Sequence, residues 1–260
     1  MNFMILELQK EMRKLKNPAK AKVLAGFFKT GKGQYGEGDE FLGITVPQTR
    51  AAIKKFQQLS LKEIEKLLQS EFHEERLAAI LILVFQYAKG DEKNRQSIFE
   101  FYLRSNDKIN SWDLVDLSAP QIVGEFLTDK SKEILFKLAE SKSLWERRIA
   151  MVATFTDIKN GKSQTTFAIA EKLLKDKEDL LHKATGWMLR EVGKRCSQEE
   201  EEIFLKKHAA TMPRTMLRYA LEHFPEEKRQ LYLKYKNRNL SFRTCPPAYG
   251  GIRDPESLTN

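Results

Sequence analysis

The 260-residue sequence predicts an all-α protein, and three observations support that assignment. Apolar residues recur at spacings of three and four in LKEIEKLLQ, ERLAAILILVFQYA, SKEILFKLAES, FAIAEKLLKD and EEIFLKKHA. No stretch sustains the alternation of a half-buried strand. Similar helix starts also return at a steady interval. Placing HEERLAAILILV, NSWDLVDLSA, WERRIAMVATF, LHKATGWMLREV and MPRTMLRYALEHF in register puts Arg76, Trp112, Arg148, Lys183 and Thr215 in one column, separated by 36, 36, 35 and 32 residues. A unit of that length is a helix pair that cannot bury its apolar face alone, so neighbouring units stack. The expected architecture is a right-handed α-solenoid of HEAT-like helix pairs, with the corresponding helix of every unit lining a concave face. Chance alignment of similar helices is the alternative.

The elements follow in order. The opening MNFMILELQKEMRKLKNP has an apolar run too short for a signal h-region or a membrane span, and its charges recur as on an amphipathic helix, so it is read as the first helix. KTGKGQYGEGDEF, residues 29 to 41, breaks the period and reads as a glycine-rich loop before the helix that PQT opens. AKGDEKN and IKNGKS each look like a helix stop followed by a new start. NSWDLVDLSAP reads as the start of a buried helix, with Asn110 or Ser111 as N-cap and Asp113 in the first turn, where a carboxylate favours the helix dipole. SFRTCPPAYGGIRDPESLTN leaves the helical pattern altogether. The chain therefore divides into a repeat domain over 1–233 and a tail over 234–260, expected to be disordered or appended.

Charge and composition narrow the function. Lys and Arg number 45 against 36 Asp and Glu, an excess of nine that favours a polyanionic partner such as nucleic acid or an acidic surface, the alternative being a basic protein with no such partner. The two cysteines, Cys196 and Cys245, can supply neither a disulfide framework nor a zinc quartet, which suits a reducing cytosol. His73, His182, His208 and His223 lack the HExxH spacing, so no metal site is expected. GKGQYGEG has no GK[ST] ending and no preceding strand, so it is not a P-loop, and no cofactor is expected. Cys196 has basic neighbours but no paired His or Cys, and is read as an ordinary thiol.

Asp116 stands out. It follows Trp112 by four residues, so indole and carboxylate share one helical face. A carboxylate in a groove built to gather phosphates would repel its ligand unless positive charge sits on that ligand or develops in a transition state. The competing reading is a structural ion pair to Arg148 that orders the repeat.

SWDLVD, LWERRIA, HKATGWMLRE and MPRTMLRYALE, together with YGEGDEFLGITVPQTR, resemble the AlkD-like family of DNA alkylation repair proteins, over roughly residues 3 to 233. The resemblance implies a HEAT-like repeat DNA glycosylase that excises cationic N3- and N7-alkylated purines from duplex DNA without having to flip the base into a pocket. It also implies an active cleft of Trp112, Asp116, Arg148 and Trp187, each present at its place in the motif. An alkylpurine that already carries positive charge leaves without protonation by a general acid, so one carboxylate suffices where ordinary glycosides need two. On this reading Asp116 stabilises the oxocarbenium-like sugar and orients water, the two tryptophans offer electron-rich faces to the cation, and Arg148 grips a neighbouring phosphate.

Further DNA contacts are expected from Arg190 and Lys194, which follow Trp187 on one helical face, and from Arg214 and Arg218 one unit later. Arg50 and the loop around Gln34, Tyr35 and Gly36 are candidates to reach a groove. Trp145 is read as core packing. The family resembled also contains noncatalytic binders of branched or damaged DNA. The expected setting is a monomer in the cytoplasm, with alkylated double-stranded DNA as partner and no membrane association.

Overall fold

The protein is seen in a computed structural model that describes residues 3–234, so the expected tail from residue 235 onward, with Cys245, lies outside the described residues. Within them the fold is all-α, and the one extended pairing is an isolated bridge between Glu40 and Phe72. Three helices come first: α1 (Phe3–Lys14), α2 (Pro18–Phe27) and α3 (Val46–Ala52). After them run α4 (Leu61–Leu68), α5 (His73–Lys89), α6 (Glu92–Arg104), α7 (Trp112–Asp116), α8 (Glu133–Ala139) and α9 (Leu144–Ala153). The series ends with α10 (Phe155–Lys159), α11 (Gln164–Leu173), α12 (Asp179–Arg195), α13 (Gln198–His208), α14 (Arg214–Ala220) and α15 (Glu226–Lys234).

Helix α4 packs on α5, α8 on α9 and α11 on α12, while α5, α7, α9, α12 and α14 pack against one another in succession. Those five are the helices of the aligned column, so the spacing read from the sequence corresponds to neighbours in space. Each joint has a local cause. Gly90 ends α5 and Asp91 caps α6 through the Asn94 amide at 2.8 Å, while Gly161 takes a φ of 71° in the second joint. Ser60 and Glu63 form a capping box at α4.

The stretch after Ser111 departs from a simple buried helix. Helix α7 stops at Asp116, and the chain resumes as a wide π-type turn over Pro120–Gly124. Thr156 Oγ1 donates to the Pro120 carbonyl at 2.8 Å, satisfying it within the core. A side chain at Gly124 would bring Cβ within 2.5 Å of the Ala153 carbonyl, so glycine is what lets this turn lie on α9. Glycine has the same effect between α12 and α14, where a Cβ at Gly186 would sit 2.4 Å from the Met216 carbonyl. Neither Asn110 nor Ser111 makes a side-chain cap bond to α7.

The first turn of α5 ties the N-terminal segment to the stack. His73, Glu74, Glu75 and Arg76 are all buried. The Glu74 carboxylate accepts the amides of Leu42, Gly43 and Ile44 at 2.9, 2.8 and 3.1 Å. Glu75 accepts from Gln9 of α1 and from Ser70, and Arg76 pairs with Asp39 at 2.7 Å. The two glutamates tolerate burial here because each carboxylate accepts several hydrogen bonds.

Candidate active site

An open cleft of about 960 Å³ is walled by the helices of the column on one side and by the end of α2 with the glycine-rich loop on the other. Trp112 and Asp116 come from α7, Arg148 from α9, and Trp187 and Arg190 from α12. The four residues assigned by resemblance to catalysis thus line one cavity, with Arg190 beside them.

At its floor Arg148 holds Asp116 with two hydrogen bonds, Nε to Oδ1 at 2.9 Å and Nη2 to Oδ2 at 2.8 Å. Its Nη1 donates to the Leu180 carbonyl at 2.6 Å, which fixes the guanidinium at the junction of α9 and α12. Three of the five N–H groups of an arginine are used this way, leaving two for another ligand. Burial pushes the Asp116 carboxyl above its ordinary value of 3.8, against the opposing pull of the Arg148 charge and hydrogen bonds. The carboxylate is thereby more basic than a free aspartate and still faces the cleft.

Aromatic rings surround Trp112. Phe28 stacks on its indole at 5.2 Å between centroids and 11° between planes, and Phe27 meets it edge-on at 6.0 Å. One face of the indole is therefore covered, and a cation can approach only the other. Trp187 is half-buried on α12, tilted against Phe155 at 6.1 Å. Trp145 packs partly on the core, as expected, and also meets Tyr35 edge-on at 6.1 Å.

The remaining basic candidates divide. Arg190 is paired with Glu222 and, at 3.3 Å, with Glu191. Arg50, Lys194, Arg214 and Arg218 are exposed and do not line the cleft, and Arg214 donates to the Leu233 carbonyl. Gln34 and Tyr35 do reach the cleft, whereas Gly36 is buried beneath the Phe28 carbonyl. Lys183 and Tyr219 also line it, and the sequence reading gave neither a role. A signal was available, since Tyr219 follows Trp187 by 32 residues, the same step that separates Lys183 from Thr215.

Asp113 does more than favour a helix dipole. It is buried, and its Oδ2 lies 2.8 Å from Nε2 of His73, whose Nδ1 is 3.3 Å from Asp39. Burial alone would lower the His73 pKa, but the hydrogen bonds and charges of Asp113 and Asp39 outweigh it and hold the imidazole up at about 9. A charged histidine therefore lies behind α7, stacked on Phe41 at 4.8 Å. The Cys196 thiol is raised by burial, the effect of its basic neighbours being absent.

Fold and cleft together define an all-α protein of stacked helix pairs in which a carboxylate is set among aromatic rings and cations. The chain belongs to the DNA alkylation repair enzyme family, whose model matches residues 8–224. Among solved structures it is similar to one described as a predicted DNA alkylation repair enzyme from Enterococcus faecalis, with a TM-score of 0.63 and 18% identity over 81% of this chain and 97% of that one. At that identity the likeness concerns the fold. None of the curated proteins matches the chain. Among the described residues no helix is long and apolar enough to cross a membrane.

Proposed function

We propose that the protein is a DNA glycosylase that hydrolyses the N-glycosidic bond of cationic N3- and N7-alkylated purines in duplex DNA. The observation that carries this reading is the Asp116 carboxylate, made more basic by burial and held by Arg148 in a cleft that also contains Trp112 and Trp187. In the reaction the C1′–N bond breaks and its electron pair returns to the purine ring, cancelling the positive charge. Water oxygen bonds to C1′, and the proton it sheds passes to Asp116 and on to solvent. Asp116 stabilises the positive sugar while this happens, and the open indole faces add to that stabilisation.

Arg148 serves twice, keeping Asp116 ionised and offering its two unused N–H groups to a phosphate beside the lesion. Arg190 and the exposed Arg50, Lys194, Arg214 and Arg218 bind backbone phosphates along the stack, which is read as a right-handed HEAT-like solenoid. An open cleft needs no flipped base, so bulky adducts fit the same scheme. The protein acts as a monomer in the cytoplasm.

The test is incubation of the purified protein with a duplex carrying one N7-methylguanine, followed by alkaline cleavage at any abasic site. Strand scission at the lesion is expected. A second reading, a noncatalytic binder of branched or damaged DNA, is favoured by the closed Asp116 and Arg148 pair, since a satisfied ion pair also makes a stable repeat joint. Binding of that duplex without scission would establish it.

A further inference from the structure

Among the described residues four cations line the cleft, and three of them are already held. Arg148 is paired with Asp116, Lys183 with Asp179 at 2.8 Å and Arg190 with Glu222. The fourth, Lys29, is exposed on the loop side of the cleft and has no acidic partner among the described residues.

The backbone beneath Lys29 makes a lysine there unexpected. Helix α2 ends in a Schellman motif, in which the Thr30 amide donates to the Ala25 carbonyl at 3.1 Å and the Lys29 amide to that of Gly26 at 3.2 Å. The motif needs a left-handed residue after its cap, and Lys29 has a φ of 54°. Every other positive φ among the described residues belongs to a glycine, Gly33 at 74° and Gly38 at 86° within this same loop. Glycine takes that conformation without a Cβ penalty, so local structure alone selects against lysine at residue 29. The side chain offsets none of that strain within the fold, since it bonds no carbonyl at the end of α2. Gly36 closes the loop on this turn: its amide donates to the Lys29 carbonyl at 3.2 Å, and a Cβ on it would lie 2.5 Å from the Phe28 carbonyl. Gln34 also lines the cleft. Its Oε1 accepts the Gly31 amide at 3.0 Å, which leaves both Nε2 hydrogens free.

We propose that Lys29 and the Gln34 carboxamide bind a backbone phosphate of the DNA strand in the cleft, gripping it from the loop while Arg148 and Arg190 grip it from the helices. The proposal rests on the reading above for its DNA partner, though not for the bond that is broken. A phosphate is the group that fits. An ammonium brings three donors and a full charge to an oxyanion, and the carboxamide adds two more donors. Left unneutralised, the Lys29 charge would repel a cationic purine and the positive sugar formed from it. With a phosphate on it, that opposition is cancelled and the strand is held at both walls. Strain retained at a residue whose side chain serves no structural contact is what a binding role explains.

The test uses the full chain with Lys29→Met, which removes the charge and keeps the stem, and Lys29→Gly, which also relieves the backbone. Lys29→Gly is expected to melt no lower than the wild type. Both variants are expected to lose about 3- to 10-fold in duplex affinity at low salt and to lower the slope of log affinity against log salt by about 0.9. Gln34→Glu keeps the oxygen that accepts from Gly31 but sets a carboxylate against the phosphate, and should lose more. The contact is located with duplexes carrying one N7-methylguanine and one uncharged methylphosphonate, moved along the lesion strand phosphate by phosphate. Base release by limiting wild-type protein should fall by a similar factor at one position near the lesion, where Lys29→Met should be insensitive. Wild-type affinity in either Lys29 variant overturns the proposal, and in Gln34→Glu it overturns the share given to Gln34. A methylphosphonate that costs the wild type and Lys29→Met the same at every position overturns it too, as does a fall in the melting of Lys29→Gly that matches its loss of affinity. Duplex binding without base release defeats the glycosylase reading alone, and the variants' affinities and salt slopes then decide this site. A wild-type protein that binds no duplex defeats both.

Discussion

The guanidinium of Arg148 and the carboxylate of Asp116 meet in a two-pronged ion pair, at 2.9 and 2.8 Å, between helices that are neighbours in space and 32 residues apart in sequence. Both readings of Asp116 made from the sequence concern this contact. As a joint it orders two repeats, and as a site it holds a basic carboxylate facing the cleft. The two are separable by experiment because shape and charge can be altered independently.

Asp116→Asn keeps the shape and removes the charge. Release of N7-methylguanine is expected to slow by the equivalent of about 2–4 kcal/mol, as for loss of one preorganised electrostatic group, while affinity for undamaged duplex is unchanged or slightly improved. Single-turnover assays measure the first and gel retardation the second. Melting of the variant must be followed too, since Arg148 keeps its bond to the Leu180 carbonyl but loses its charged partner. A folded variant that releases base at the wild-type rate would leave the pair as a joint only.

The acid limb of the rate follows from the same carboxylate. Because Asp116 acts ionised and burial raises its pKa, activity is expected to fall as pH drops through a value above 3.8. Arg148→Gln withdraws the charge that opposes this rise, so the limb should move to higher pH. Single-turnover rates across the acid range test both statements. A limb that stays in place in the variant would mean another group controls it.

His73 makes stability sensitive to alkali. Its folded pKa of about 9 lies above the unfolded value of 6.5, so its contribution is complete below 6.5 and is lost as pH rises through 9. The loss amounts to at most about 3 kcal/mol. Urea denaturation at pH 6 and pH 10 measures it, and His73→Gln should flatten the difference. Asp113→Asn is expected to destabilise the fold by about 1–3 kcal/mol by leaving His73 without its nearer carboxylate. It is therefore not the silent control that a first-turn residue suggests.

Salt dependence tests the outlying cations. Each phosphate contact contributes about 0.9 to the slope of log affinity against log salt. Arg218→Ala and Lys194→Ala should each make that slope shallower by about that amount, without altering release of base once bound. Measurement of duplex affinity at several salt concentrations decides it. An unchanged slope would mark either residue as an ordinary solvated helix face.

The sequence by itself determined the helical class, the joints at Gly90 and Gly161, and the register that brings α5, α7, α9, α12 and α14 together. These are local or periodic properties: apolar spacing, caps and a repeated unit length are written in neighbouring residues. It also marked Trp112, Asp116, Arg148 and Trp187, through motifs that stand in order along the chain. Only the tertiary structure decided that Arg148 faces Asp116, that Phe28 covers one side of Trp112, and that Tyr35 reaches the other edge of the cleft. It decided as well that Asp113 is the partner of a charged, buried His73 and not a free first-turn carboxylate. Each of these depends on groups 32 to 84 residues apart, such as Asp116 with Arg148 and Phe28 with Trp112. Charge and burial at such sites are set by what the fold brings alongside, and no local pattern carries that information.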